Sequence, residues 1–263
     1  MPAHEIDYRL IGDDLQIVEV ELDPGEAVRA EAGAMLYMED GLRMDTGTGG
    51  GFMAGLKRRI AGESFFITSF VNEGRGKARV AFSAPYPGKV IPLDLAMHGG
   101  RFLCQKDSFL CAASGIEIEV AFTRKMGAGL FGGEGFILQK LTGDGLAFCH
   151  AGGTIIERAL QAGETLRVDT GCLVAFSESV TYDIQFQGGF KNALFGGEGL
   201  FMATVTGPGL VYLQSLPFSR LADRIVAASR VGARREETGG ALGAIGGLAG
   251  GGLLGGLLGS DNS

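Results

Sequence analysis

The chain has 263 residues and a formal charge of −7, from 30 acidic and 23 basic residues. That balance argues against general binding to nucleic acid, where Lys and Arg must neutralise phosphates. Hydrophobic residues at 46% and charged residues at 20% are ordinary for a soluble globular domain, whereas 46 glycines are not and call for many tight turns or a low-complexity segment.

The opening "MPAHEIDYRLIGDD" is polar and has no apolar core of the secretory type, so a cytoplasmic protein is expected. From residue 15 to about 216 the chain runs in short apolar or alternating stretches cut by turn signals. "LQIVEVEL" alternates Ile17, Val18 and Val20 with Glu19 and Glu21, and "ESFFITSFV", "KARVAFSA", "FILQKL", "TYDIQFQ" and "GLVYLQSL" are rich in β-branched and aromatic residues. No stretch there holds a helical period for three turns, so the fold class is all-β.

Three stretches match one another. "AGESFFITSFVNEGRGKARVAFSAP" from Ala61, "GGEGFILQKLTGDGLAFCHAG" from Gly132 and "GGEGLFMATVTGPGLVYLQSLP" from Gly196 share a Gly-Glu step, a strand, a glycine-bracketed turn and a second strand. Each is preceded by a second matching stretch: "PGEAVRAEAGAMLYM", "GGRFLCQKDSFLCAA" and "AGETLRVDTGCLVAF" align without gaps through Gly25, Gly100 and Gly163. The expected architecture is therefore three pseudo-symmetric β-sandwich-like repeat units, roughly 15–88, 89–153 and 154–217, packed in one body over 1–217. The first unit carries the insertion "GTGGGFMAGLKRR". Hairpin reversals are expected at Asp144-Gly145 and Pro208-Gly209, where glycine tolerates a positive φ.

After Pro217 the texture changes. "SRLADRIVAASRVGARREE" spaces Leu221, Ile225 and Ala228 as on one helical face, which predicts a short amphipathic helix over 218–237 with Ser219 as its N-cap. The remainder, 238–263, is a Gly-rich apolar tail, and residues 239–259 comprise eleven glycines and ten Ala, Leu or Ile. A glycine at every fourth position suits helix pairing in a membrane, but so many glycines weaken any helix. A flexible tail is the first expectation, with membrane contact through 239–259 or self-association as alternatives.

The chemical motifs are sparse. "GAGLFG" at Gly127–Gly132 has the spacing of a dinucleotide fingerprint but lies in an all-β pattern rather than between a strand and a helix. His4, His98 and His150 show no paired spacing for a metal, and Cys149-His150 as strand neighbours point to opposite faces. Cys104, Cys111, Cys149 and Cys172 include no Cys-x-x-Cys pair and sit in apolar runs, so buried reduced thiols are expected. No nucleophile signature is present, and no cofactor, metal or catalytic residue is assigned. The one recurring polar group is Glu63, Glu134 and Glu198, one per unit. They either converge as a ligand- or cation-binding set or each hold a strand corner by accepting backbone N–H bonds; the corner role is the expectation.

"PGEAVRAEAGAMLYME" and "LFGGEGFILQKLTGDGLAF" resemble the family typified by the fungal altered-inheritance-of-mitochondria protein 24, which has many bacterial members; the resemblance covers about 5–220. It implies a fold similar to that of the tryptophan RNA-binding attenuation protein, with internally pseudo-symmetric β units and self-association, and it carries over no catalytic residue. The expected function is a non-enzymatic, homo-oligomeric β scaffold of the cytoplasm, with association to the inner face of a membrane through its tail as the alternative to a flexible tail. A small-ligand or cation-binding module built on Glu63, Glu134 and Glu198 is the alternative.

Overall fold

The computed structural model of the chain describes residues 2–45, 67–124, 136–186 and 201–229. Strand β1 is Asp7–Ile11, and three runs of six strands follow. The first run is β2 (Ile17–Leu22), β3 (Ala27–Glu31), β4 (Met35–Met38), β5 (Leu42–Asp45), β6 (Ile67–Asn72) and β7 (Ala78–Ser83). The second is β8 (Gly88–Asp94), β9 (Arg101–Gln105), β10 (Phe109–Ala113), β11 (Glu117–Arg124), β12 (Phe136–Thr142) and β13 (Leu146–Gly152). The third is β14 (Ile155–Leu160), β15 (Thr165–Asp169), β16 (Leu173–Ser177), β17 (Thr181–Phe186), β18 (Phe201–Thr206) and β19 (Gly209–Gln214). Short 3-10 turns lie at Ala96–His98, Lys106–Ser108 and Thr170–Cys172.

All strand pairs in the sheets are antiparallel, and one scheme governs each run. The first strand pairs with the sixth (β2 with β7, β8 with β13, β14 with β19), and the second with the fifth (β3 with β6, β9 with β12, β15 with β18). The fourth strand of a run pairs with the fifth (β5 with β6, β11 with β12, β17 with β18). The third pairs with the sixth through a bulge each time, at Met35/Tyr37, Phe109/Cys111 and Leu173/Ala175. Runs are joined by the third strand of one against the second strand of the run before it: β10 on β3 and β16 on β9.

This pairing makes four sheets, ordered β1-β2-β7-β4, β5-β6-β3-β10-β13-β8, β11-β12-β9-β16-β19-β14 and β15-β18-β17. They stack in that order. In β2 the period-2 alternation sends Val18, Val20 and Leu22 into the first core, where they meet Phe70, Phe82, Phe148 and Leu93. In β9 neighbouring residues serve different cores: Phe102 and Cys104 belong to the first, Leu103 to the second with Phe136, Phe176 and Val205. A sheet buried on both faces reads as a continuous apolar run, and "FLCAA" in β10 is buried at every position.

Two expectations need adjusting. The glycine with positive φ before β13 is Gly143 (157°), not Gly145, and a Cβ on Gly143 would also run into Ile116. At the matching turn before β19, Gly209 does take a positive φ, 147°. Helix α1 is described over 218–229 and begins one residue before Ser219, just after Pro217, a residue suited to the start of a helix. Residues 230–263, with the arginine patch and the Gly-rich tail, lie outside the described residues.

Candidate functional site

Where β3 and β10 join the first two runs, a cavity of about 310 Å³ opens beside the seam. Its wall comes from four places far apart in sequence: Glu31 at the end of β3, Ser83 at the end of β7 with Tyr86 in the loop after it, Asp107 in the turn before β10, and His150 on β13. The backbone of 32–34 and the rings and chains of Pro85, Phe109 and Leu110 complete it.

His150 is 2% exposed, and its Nδ1 is buried with no hydrogen-bond partner. Tyr86 stands edge-on to the imidazole with ring centroids 4.6 Å apart. On the other side the ring lies against Gly88, where a Cβ would come within 2.6 Å of Nε2, so only glycine admits the imidazole there. Burial lowers the His150 pKa to about 4, which keeps the ring neutral at physiological pH. Burial also raises the Glu31 carboxyl to about 7, helped by the charge of Asp107 and opposed by Lys106. Burial, with Asp107 and Glu31 adding, pushes the Tyr86 phenol above its ordinary value.

The next seam, where β16 meets β9, is built differently. Aligned through the repeated stretches, Gln214 stands where His150 stands. Its Oε1 accepts from the Gly152 N–H at 2.7 Å and its Nε2 donates to the Gly171 carbonyl at 2.8 Å. One seam is closed by a satisfied amide; the other holds an imidazole whose Nδ1 has no partner, in the wall of a cavity also lined by two carboxylates.

The outer sheet β1-β2-β7-β4 carries the other dense polar group. Glu19 on β2 is only 4% exposed because Arg9 and Arg79 lie over it. It accepts hydrogen bonds from Arg9 at 2.7 Å and from the Tyr37 hydroxyl of β4. The Tyr37 bond, then the Arg9 charge, hold its carboxyl below the ordinary value against the opposing effect of burial. Lys77 and Arg79 similarly hold Glu21 down.

Glu63, Glu134 and Glu198 all lie outside the described residues, as does the Gly127–Gly132 stretch. Among the described residues no three His, Cys, Asp or Glu side chains are grouped to hold a metal ion. None of the four cysteines is in a disulfide; Cys104, Cys111 and Cys149 are buried and Cys172 is half-buried. A hydrogen bond with Cys149 and burial push Cys104 well above the usual thiol value, and burial pushes Cys111 up as well. His4 accepts the Ala27 N–H at 2.8 Å, a structural role. The polar residues that the sequence did not single out are Glu31, Tyr86 and Asp107. Their one local signal, acids flanking small or apolar residues in "RAEAGAM" and "CQKDSFL", does not show that they meet.

A family model described as mitochondrial biogenesis AIM24 matches residues 8–216. An uncharacterized protein of Streptococcus pyogenes serotype M6 is 31% identical over 214 residues, covering 78% of this chain and 84% of that protein. The X-ray crystal structure of a Streptococcus pyogenes protein superposes with a TM-score of 0.71 at 24% identity, covering 85% of this chain and all of that one. At that identity the likeness speaks to fold alone, and the neighbour shares the β architecture. A model match over most of the chain, with a relative above 30% identity, means that the chain belongs to the mitochondrial biogenesis AIM24 family.

Proposed function

We propose that the protein is a non-catalytic β scaffold that assembles from copies of itself. The observation that carries this reading is β4. Its counterparts β10 and β16 are almost wholly buried because each lies against a strand of the preceding run. β4, "MLYM", ends its sheet and exposes Met35 (36%), Leu36 (54%), Tyr37 (39%) and Met38 (39%). An apolar edge strand is a liability in a lone molecule and an asset in an assembly.

The complementary edge is at the other end of the stack. β3 and β9 each receive the third strand of the next run, while β15 ends its own sheet. In the two seams Ala112 faces Arg29 and Ala175 faces Cys104. Each pair joins the residue twelve after one aligned glycine to the residue four after another. The same rule sets Tyr37 of one copy opposite Arg167 of the next, with Leu36 on Val168 and Met38 on Leu166. That contact joins two unlike edges, and each copy offers one of each.

Membrane contact is a further part of the proposal, assigned to the 239–259 tail. No helix among the described residues is long and apolar enough to cross a membrane. Light scattering of the full chain over a concentration series tests the assembly. Mass that grows with concentration is expected; a constant mass of 27.4 kDa at all concentrations overturns the reading. Membrane flotation with and without 239–263 tests the tail.

A further inference from the structure

We infer that the cavity at the β3–β10 seam is a binding site for a small organic ammonium ion, a primary amine on a short apolar body. Three features of different origin point there. Glu31 and Asp107 place two carboxylates on the wall, and no Lys or Arg is among its lining residues. Phe109, Leu110 and Pro85 offer apolar surface to the body of such a ligand, and Tyr86 offers an aromatic face or edge. His150, 98% buried by its 2% exposure, contributes to the lining while its Nδ1 lacks any partner in the protein.

An unpartnered buried polar atom costs stability. The protein avoids that cost at the neighbouring seam, where Gln214 satisfies both of its polar atoms internally. The first seam therefore keeps an exception that a ligand would resolve. With the imidazole proton on Nε2, Nδ1 presents a lone pair, the partner an N–H donor requires. An ammonium group carries three such donors, enough for Nδ1 and for the carboxylate side together. A bare metal ion fits less well, since no three ligating side chains are grouped among the described residues. An anion is repelled by Glu31 and Asp107. The cavity volume stands at the low end of known ligand pockets, which favours a small molecule over a peptide.

The pH dependence follows from the groups facing the cavity. Ionised Glu31 is needed, its carboxyl lies near 7 in the empty site, and Asp107 reinforces its protonation while Lys106 opposes it. Tyr86 and His150 stay neutral across this range. Affinity for the ammonium ion should thus rise between pH 6 and pH 8.

The test is calorimetric titration of the full chain with 2-phenylethylammonium, beside the neutral 2-phenylethanol and the anionic 3-phenylpropanoate. Saturable binding of the cation is expected, at least about tenfold tighter than the alcohol, with no binding of the anion. Glu31→Gln and His150→Gln, the second copying the residue used at the other seam, should each weaken the cation at least about tenfold. Equal binding of cation and alcohol, undiminished binding by both variants, or no binding of the cation at 10 mM overturns the proposal. Should a variant fail to fold, the imidazole nitrogen resonances of the wild-type chain decide. A shift of His150 Nδ1 with the cation but not the alcohol supports the site, and an unmoved resonance at saturation overturns it.

Discussion

His150 and Gln214 occupy matching points on β13 and β19, and they resolve the same packing problem in opposite ways. Gln214 bridges the Gly152 N–H and the Gly171 carbonyl, while His150 leaves Nδ1 without a partner beside a cavity. Replacing Gln214 by Leu should strand both backbone groups and cost about 2–4 kcal/mol. His150→Gln should cost less than that or stabilise the chain. Denaturant titrations of the two variants measure the contrast, and equal losses would remove the distinction between the seams.

Stability should depend on pH through Glu31. Its folded value, about 7, lies above the ordinary 4.5 of the unfolded chain, so the folded state binds the proton more tightly. The favourable contribution is complete below 4.5 and is lost as pH rises through 7. Glu31→Gln should therefore raise stability at pH 8, by on the order of 2 kcal/mol, and change it little at pH 4.5. A gain independent of pH would show that Glu31 is not the titrating group.

The acid limb runs the other way. His150 has a folded value of about 4 below the ordinary 6.5, so stability is complete above 6.5 and declines as pH falls through 4. Glu19, also held below its ordinary 4.5, adds a loss that begins under that value. In His150→Gln the decline between pH 6.5 and 4 should flatten, measured as urea midpoints across that range.

Leu36→Lys places a charge on an exposed edge position and should leave the fold intact while reducing assembly. Scattering mass should fall toward that of a single chain, with the melting temperature within a few degrees of wild type. The register is tested by Met38→Cys with Leu166→Cys, which should give disulfide-linked ladders on oxidation. Both are made on a Cys172→Ser background, where single variants should give at most traces of dimer because Cys104, Cys111 and Cys149 are buried.

Asn72, the last residue of β6, is fully buried, donating to the Leu22 and Gly76 carbonyls at 2.8 Å and accepting the Gly74 N–H at 2.9 Å. Asn72→Leu keeps the size and removes every one of these bonds, so a loss of about 2–4 kcal/mol is expected in thermal or chemical unfolding.

Strand positions were legible because alternation in "IVEVEL" and unbroken apolar character in "FLCAA" follow from one or two buried sheet faces. The aligned glycines Gly25, Gly100 and Gly163 marked equivalent turns for the same reason: each precedes a strand that enters a sheet in the same way. The seam cavity was not legible. Glu31, Tyr86, Asp107 and His150 come from four separate elements, and nothing local to any of them encodes that β10 docks on β3. Sequence places His150 beside Cys149, whereas its environment in the fold is set by Tyr86 and Gly88. Repetition drew attention to Glu63, Glu134 and Glu198; the unusual chemistry sits where the matching positions differ.

The stack of sheets begins with four strands ending in β4 and finishes with three strands edged by β15. Its two ends are thus chemically unlike, one apolar and aromatic, the other carrying Thr165, Arg167 and Asp169. Anything built by adding such bodies end to end has a direction, and its two tips would add subunits at different rates. A copy altered only at β4 could still accept or be accepted at one tip and would then stop growth there. Small amounts of it mixed with wild type would shorten assemblies out of proportion to its abundance.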